Sequence, residues 1–195
     1  MSERQAEREI ASLFLERWSP RAFDETEISE TDLQRLFEAA RWAPSAYNAQ
    51  PWRFVYARRG TPHWETFLDF LIPFNRDWAR RAGALVFVFS ERKFLQPGKT
   101  EAIETGFASY DTGAAVGFLA LQASFSGLHA HIIGGFDGAR IVEALGVPEN
   151  FKLESAIVIG RKGNPAVLPE GLQAREFPSG RNPLQSFFAE GKFGF

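Results

Sequence analysis

Residues 113–123, GAAVGFLALQA, constrain this chain most. They lie inside the longer run GFASYDTGAAVGFLALQASFSGL, which reads as one helix. Over 113–123 that helix is apolar on nearly all sides. A helix without a polar face must be central, covered by sheet, by other helices or by a second subunit. Gly113, Ala114 and Gly117 are small enough for another backbone to approach closely. Gly127 reads as its C-terminal stop. The run is too short to cross a bilayer, which takes about 20 apolar residues.

Around this helix the chain alternates helix and strand signals. Ser2 with Gln5 resembles a capping box, and Ile10, Leu13 and Phe14 share one face of a helix ending near Arg17. Pro20 disfavours helix at Ser19. Ser29 with Asp32 caps a second helix whose apolar positions are Leu33, Leu36, Phe37 and Ala40, stopped by Pro44. Residues 53–57 read as a strand. Thr61 and Pro62 read as a cap and first-turn proline for a helix to about Leu71, with a further short helix over 75–81. Residues 84–89, ALVFVF, read as a buried strand. Residues 91–105 are polar and read as a mobile surface loop. Strands are expected over 128–133 and 155–159, with a short helix over 139–145. No repeat or linker interrupts the chain, so a single domain over 1–195 of α/β or α+β class is expected.

Composition excludes several functions. The net charge of -2 leaves no basic excess for nucleic acid. Cysteine is absent, which removes disulfides, thiolate metal sites, iron–sulfur clusters and cysteine nucleophiles. The charged N-terminal residues predict no secretory signal, so a cytoplasmic location is expected. Twenty phenylalanines against three tyrosines are more aromatic surface than one small core hides. They point to a subunit interface or a flat aromatic ligand. The tail beyond Arg161 agrees: Leu184, Phe187, Phe188, Phe193 and Phe195 need a docking surface, and a partner subunit is the economical one.

Four segments carry candidate chemistry, each beside a plain structural reading. In RWSPRAF, the guanidiniums of Arg17 and Arg21 and the hydroxyl of Ser19 can bracket an anion, or form a solvated turn. In PSAYNAQPW, prolines hold a loop whose Asn48 and Gln50 can read a heteroaromatic edge, or simply join helix to strand. In IIGGFD, Gly134 and Gly135 let backbone N–H groups approach a ligand, or make a turn. No Rossmann fingerprint or phosphate loop is present. His129 and His131 share one strand face, yet a zinc site would need carboxylates from elsewhere, and no metal site is expected. Asp111 and Asp137 have no evident catalytic partner, and no nucleophile elbow occurs.

Taken in order, RWSPRAF, PSAYNAQPW, YDTGAAVGFLALQA, GLHAHIIGGFD and SGRNPL resemble the nitroreductase family of FMN-dependent oxidoreductases. The resemblance runs from Arg17 almost to the C-terminus. It implies an α+β fold with a central, mainly antiparallel sheet flanked by helices. It also implies an interlocked homodimer with two FMN sites at the subunit interface. Arg17, Trp18, Ser19 and Arg21 match the first flavin segment, with Arg17 on the phosphate and Arg21 near the pyrimidine end of the ring. There its charge stabilises the anionic reduced flavin. Pro44, Ser45, Asn48 and Gln50 match a segment contributed by the other subunit. Asn75 matches an asparagine on the pyrimidine edge, Gly134 and Gly135 a segment facing the flavin N5, and Arg181 a phosphate-binding arginine of the tail.

Two departures stand out. Some members have glutamate in place of Gly134, and many have a second basic residue in place of Ser179. The loop over 91–105, a region that sets substrate choice in the family, is also short. The activity implied is hydride transfer from NADH or NADPH through FMN to a nitroaromatic, quinone or similar flat acceptor, by ping-pong turnover. No side chain is assigned a catalytic role. Phenylalanines of 70–74 or 94–107 are candidates to wall the acceptor space. The alternatives are a related flavin-dependent dehydrogenase or dehalogenase, or a flavin-binding storage or regulatory protein without turnover.

Overall fold

A computed structural model describes residues 4–194. Its elements in chain order are α1 (Leu13–Glu16), α2 (Glu30–Arg41), β1 (Trp52–Arg58), α3 (Trp64–Asp69), α4 (Pro73–Ala79), β2 (Ala84–Glu91), β3 (Lys93–Leu95), β4 (Ala102–Glu104), α5 (Ala108–Phe125), β5 (His129–Ile133), α6 (Gly138–Ala144), β6 (Phe151–Gly160) and α7 (Glu170–Gln173). The main sheet has the order β1-β2-β6-β5, and every neighbouring pair is antiparallel. The expected fold class is the one found.

Side-chain alternation on the sheet builds two cores. Ala84, Val86 and Val88 of β2 with Ile157 and Ile159 of β6 face α2 and α5. Leu85, Phe87 and Phe89 with Ala156 and Val158 face a phenylalanine-rich layer that includes Phe67, Phe70 and Trp78. Both faces of β2 are therefore covered, which explains its unbroken apolar run.

Local signals account for the two longest helices. The Ser29 hydroxyl accepts from the Asp32 N–H at 3.0 Å and caps α2. At the end of α5, Gly127 has φ +70°. Leu128 N–H reaches the Ala123 carbonyl at 2.8 Å and Gly127 N–H the Ser124 carbonyl at 3.1 Å. This is a Schellman stop, and it needs a residue tolerant of positive φ. α5 buries Ala115, Leu119 and Ala123 against the sheet and α2. It leaves Tyr110, Gly113, Gly117, Phe118 and Phe125 uncovered along the opposite side.

Three expectations are corrected. The first helix is only Leu13–Glu16, and residues 4–10 form an irregular arm; the Ser2 half of the capping box lies outside the described residues, as does Phe195 of the tail. A short isolated helix is marginal, and this arm spends its polar groups elsewhere: Glu7 Oε1 accepts from the Leu184 N–H at 2.8 Å. Thr61 does not cap α3; its hydroxyl donates to the Arg58 carbonyl at 2.7 Å, and α3 starts at Trp64. The loop over 91–105 contains the hairpin β3–β4, with Phe94 paired to Ile103. Its apolar residues pair across the hairpin, and Gly98 has φ +78° in the intervening segment.

Candidate functional site

Arg17 leaves α1 with ψ 121°, and residues 17–20 are irregular. This segment lies along β5. Trp18 meets His129 edge-on with ring centroids 6.2 Å apart. The Pro20 carbonyl lies 2.8 Å from Nδ1 of His131. A carbonyl can only accept, so Nδ1 carries the proton. Burial pushes the His131 pKa down to about 4, and the ring is neutral. Trp78 of α4 packs on that ring at 4.9 Å. The histidine pair therefore supports the turn, and each ring has an aromatic neighbour.

Beyond the turn, the N–H groups of Arg21 and Ala22 both donate to Oε1 of Glu176, at 2.7 and 2.8 Å. Nε of Arg21 and Oε2 of Glu176 are buried without a hydrogen-bond partner among the described residues. Burial holds the Arg21 pKa below its ordinary value, and Arg175 adds repulsion, while Glu176 opposes both. A buried donor without an acceptor is costly in the chain alone, and a ligand oxygen satisfies it.

The candidate anion-binding residues gather around Arg17. Its Nη1 is 3.5 Å from the Ser19 hydroxyl. Burial lowers its pKa and so does the neighbouring Arg181. Arg181 Nη1 donates to the Ser179 hydroxyl at 3.2 Å and the Gly180 carbonyl at 2.8 Å. Neither arginine is ion-paired among the described residues, so their charge is available to an anion.

A second cluster forms at the end of β5. Asn75 of α4 is buried, and its Nδ2 donates to the Gly135 carbonyl at 3.1 Å. Ile72 N–H also reaches that oxygen, at 3.2 Å. A Cβ on Gly135 would collide with Asn75 Nδ2 and lie 2.7 Å from Ile72 Cδ1, so any larger residue must displace those side chains. A Cβ on Gly134 would meet nothing within 4 Å. The strand end is thus packed on the Gly135 side and open at Gly134. Trp78, on the same helix as Asn75, touches His131, which holds Pro20. Segments 17–21, 72–78 and 131–135 are joined in this way at one edge of the sheet.

The structure does not bring residues 44–50 to that place. They precede β1, at the other edge, three strand spacings or roughly 14 Å away across the sheet. Pro44, Asn48 and Gln50 are exposed and Ser45 is half-buried. Ser45 Oγ accepts from the Gln50 N–H at 3.0 Å, and Gln50 Nε2 donates to the Asn48 carbonyl at 3.1 Å. Tyr47, Asn48 and Gln50 all have φ between +50° and +55°. Three non-glycine residues in the left-handed region store backbone strain, which surrounding structure must hold. Asp111 of α5 does part of this, accepting from the Ala46 N–H at 2.9 Å. Tyr47 also stacks on Phe94 of β3 at 5.7 Å.

Two residues carried no local signal in the sequence, and a third, Asp111, had no evident partner. Asp111 was visible as a charge on an otherwise apolar helix, and it anchors a loop. Glu176 and Arg4, which bonds the Ser179 carbonyl at 2.8 Å, act through contacts more than 150 residues away and had no local signature. Asp137 caps α6 through the Arg140 N–H at 3.1 Å.

The donors fit a particular kind of ligand. Unpaired guanidiniums and a hydroxyl suit a phosphate. A buried amide, an unsatisfied guanidinium N–H and an open glycine edge suit the polar rim of a flat ring.

The family model described as the nitroreductase family matches residues 15–63 and 61–161. A solved structure of an oxidoreductase containing FMN superposes with a TM-score of 0.94 at 42% identity, covering 100% of this chain and 98% of that one. A putative nitroreductase from Desulfovibrio desulfuricans, solved in complex with FMN, gives 0.74 at 25% identity over 97% of this chain and 100% of that one. The oxygen-insensitive NADPH nitroreductase of Helicobacter pylori is 29% identical over 182 residues, 77% of this chain and 86% of its own length.

Proposed function

The chain belongs to the nitroreductase family, and from that premise we propose that it is an FMN-dependent NAD(P)H oxidoreductase. NADH or NADPH is the donor, and a nitroaromatic, quinone or similar flat molecule is the acceptor. Both use the same space in turn, which gives ping-pong kinetics. The observation that carries the reading is the pairing of an uncompensated arginine cluster with the Asn75–Gly135 edge along β5.

Bound there, the flavin supplies the hydride chemistry, at its N5. The protein binds and orients it. Arg17, Ser19 and Arg181 hold the phosphate end. Arg21 presents its guanidinium to the pyrimidine end, where the buried Nε finds an acceptor and the positive charge favours the reduced anion. Asn75 is fixed by Gly135 and reads the same edge. The chain at Gly134 and Gly135 offers backbone N–H to the ring, and Trp18 braces the turn against His129. Pro44, Ser45, Asn48 and Gln50 are supplied by the partner subunit in a homodimer. Two findings support that arrangement: the opposite-edge position of residues 44–50, and the uncovered stripe Tyr110, Gly113, Gly117, Phe118 and Phe125 on α5. No side chain is assigned a proton-transfer role.

In this reading the chain works as one domain, since its two cores share one sheet. It works in the cytoplasm, where reduced nicotinamides are found. Among the described residues no helix is long and apolar enough to cross a membrane.

The test is the visible spectrum of the purified protein, followed by anaerobic addition of NADH or NADPH. The expected result is an oxidised flavin spectrum that bleaches and returns when a quinone is added. A flavin that stays oxidised would instead favour a dehydrogenase or storage role. A colourless protein that takes up no FMN would overturn the assignment.

A further inference from the structure

Arg4 belongs to none of the segments that resemble the family, yet it sits at the centre of the charged cluster. Its Nε donates to the Ser179 carbonyl, and its Nη1 to the carbonyls of Leu15 and Arg17, each at 2.8 Å. These bonds clamp the N-terminal arm between the segment carrying Arg17 and the tail carrying Arg181. They all end on main-chain oxygen, so none neutralises the guanidinium, and the two N–H groups of Nη2 are not used by any of them.

The local electrostatics are unfavourable in the chain alone. The Arg4 pKa is lowered by burial, and then by the charges of Arg181 and Arg17. Among the described residues none of the three forms an ion pair with a carboxylate. Oε1 of Glu7, in the same arm, accepts the Leu184 N–H. Between arm and tail is a cavity of about 440 Å³ whose wall carries Arg4, Arg8 and Arg181, the carboxylate of Glu7 and apolar side chains such as Phe14 and Phe187, while Arg17 is not on that wall. Like charges held together next to an open cavity cost stability until a multiply charged anion arrives, and then each one attracts it.

We propose that Arg4 is a phosphate ligand of the cofactor site, a third guanidinium that binds a phosphate monoester together with Arg17 and Arg181. It rests on the flavin reading above. The N-terminal arm brings the third charge in by folding back onto the tail. Phosphate binding thereby ties both ends of the chain together.

The experiment compares FMN with riboflavin, which has the same ring and lacks the phosphate. Apoprotein of the full chain is titrated with each, by quenching of flavin fluorescence, for the wild type, Arg4→Ala and Arg4→Lys. The wild type is expected to prefer FMN. Arg4→Ala should weaken FMN binding by about tenfold to a hundredfold, with riboflavin changed by less than about twofold. Arg4→Lys should recover part of the loss, and inorganic phosphate should compete with FMN but not with riboflavin. If Arg4→Ala loses the fold, Arg4→Gln, which keeps N–H donors without the charge, makes the same comparison. Equal weakening of FMN and riboflavin would show that Arg4 only braces the arm, and overturns the proposal. So does unchanged FMN binding in the variant while the wild type binds normally. A wild type that binds neither flavin would overturn the flavin reading itself, and Arg4's role with it.

Discussion

Nδ1 of His131, on the edge strand β5, lies 2.8 Å from the carbonyl oxygen of Pro20. One buried ring thereby sets the position of the turn that carries Ser19 on one side and Arg21 on the other. The bond requires a proton on Nδ1, which the neutral tautomer and the imidazolium both carry; burial keeps the ring neutral, and the Pro20 carbonyl opposes it. Protonating the ring would place a second charge near Arg21, which also contributes to lowering its pKa.

The sign of the pH dependence follows. The folded-state pKa is about 4 and the ordinary value is 6.5, so on acidification the unfolded chain takes up the proton first. The stability from the neutral ring is fully present above pH 6.5 and is lost as pH falls from 6.5 towards 4. At ~1.36 kcal/mol per pH unit the loss approaches about 3 kcal/mol. Urea denaturation at pH 7.5 and 4.5 should show it. His131→Gln, which keeps a donor for Pro20, should have a flatter profile over that range. His129 is lowered by burial and by Lys162, and contributes with the same sign in both proteins. Equal slopes in the two proteins would assign the titration to another group.

Arg21→Ala removes a half-buried cation that the proposed function sets at the ring end of the site. The flavin midpoint potential should fall, by about 30 mV for each ~1.4 kcal/mol of lost stabilisation of the reduced form in a two-electron couple. FMN retention on gel filtration should also drop. A spectroelectrochemical titration reads the first effect. An unchanged potential with full occupancy removes Arg21 from this role.

The adjacent glycines should respond differently. Gly135→Ala drives a Cβ into Asn75 and Ile72. The expected cost is about 1–3 kcal/mol of stability, typical of overpacking. Gly134→Val meets open space in the chain alone, so its apoprotein should melt within a few degrees of wild type while FMN affinity falls. Thermal melts of both apoproteins, with an FMN titration, separate packing from ligand clearance.

Gly117 faces outward from α5, and a Cβ there meets nothing within 4 Å. Gly117→Arg should therefore keep the fold and block close approach of a second copy. Sedimentation equilibrium should show a monomer. Bound FMN should be lost in parallel, because residues 44–50 of one chain are roughly 14 Å across the sheet from its own Gly134. A dimeric Gly117→Arg would move the interface away from α5.

The elements legible in the sequence are those whose cause is local. Ser29 caps α2 through a residue three positions away, and α5 ends through the N–H groups of Gly127 and Leu128, bonded to carbonyls three and five residues back respectively. The apolar run of β2 reports burial on both faces. The all-round apolarity of residues 113–123 announced that α5 would be central, and part of its surface remains uncovered in the single chain. The segments that resemble the family were recognisable because each is a short, contiguous motif. Tertiary structure decided the rest. It cut the first helix to Leu13–Glu16, since Arg4 and Glu7 of the arm bind carbonyl and N–H groups of distant segments, Ser179 and Leu184 among them. It folded part of 91–105 into a hairpin by pairing Phe94 with Ile103. It put Glu176 under the N–H groups of Arg21 and Ala22. It also set the two groups of candidate site residues on opposite edges of one sheet, because strand order, not position along the chain, determines which ends meet. A hydrogen bond spanning 175 residues leaves no periodicity to read, and its partners are known only once the chain has closed on itself.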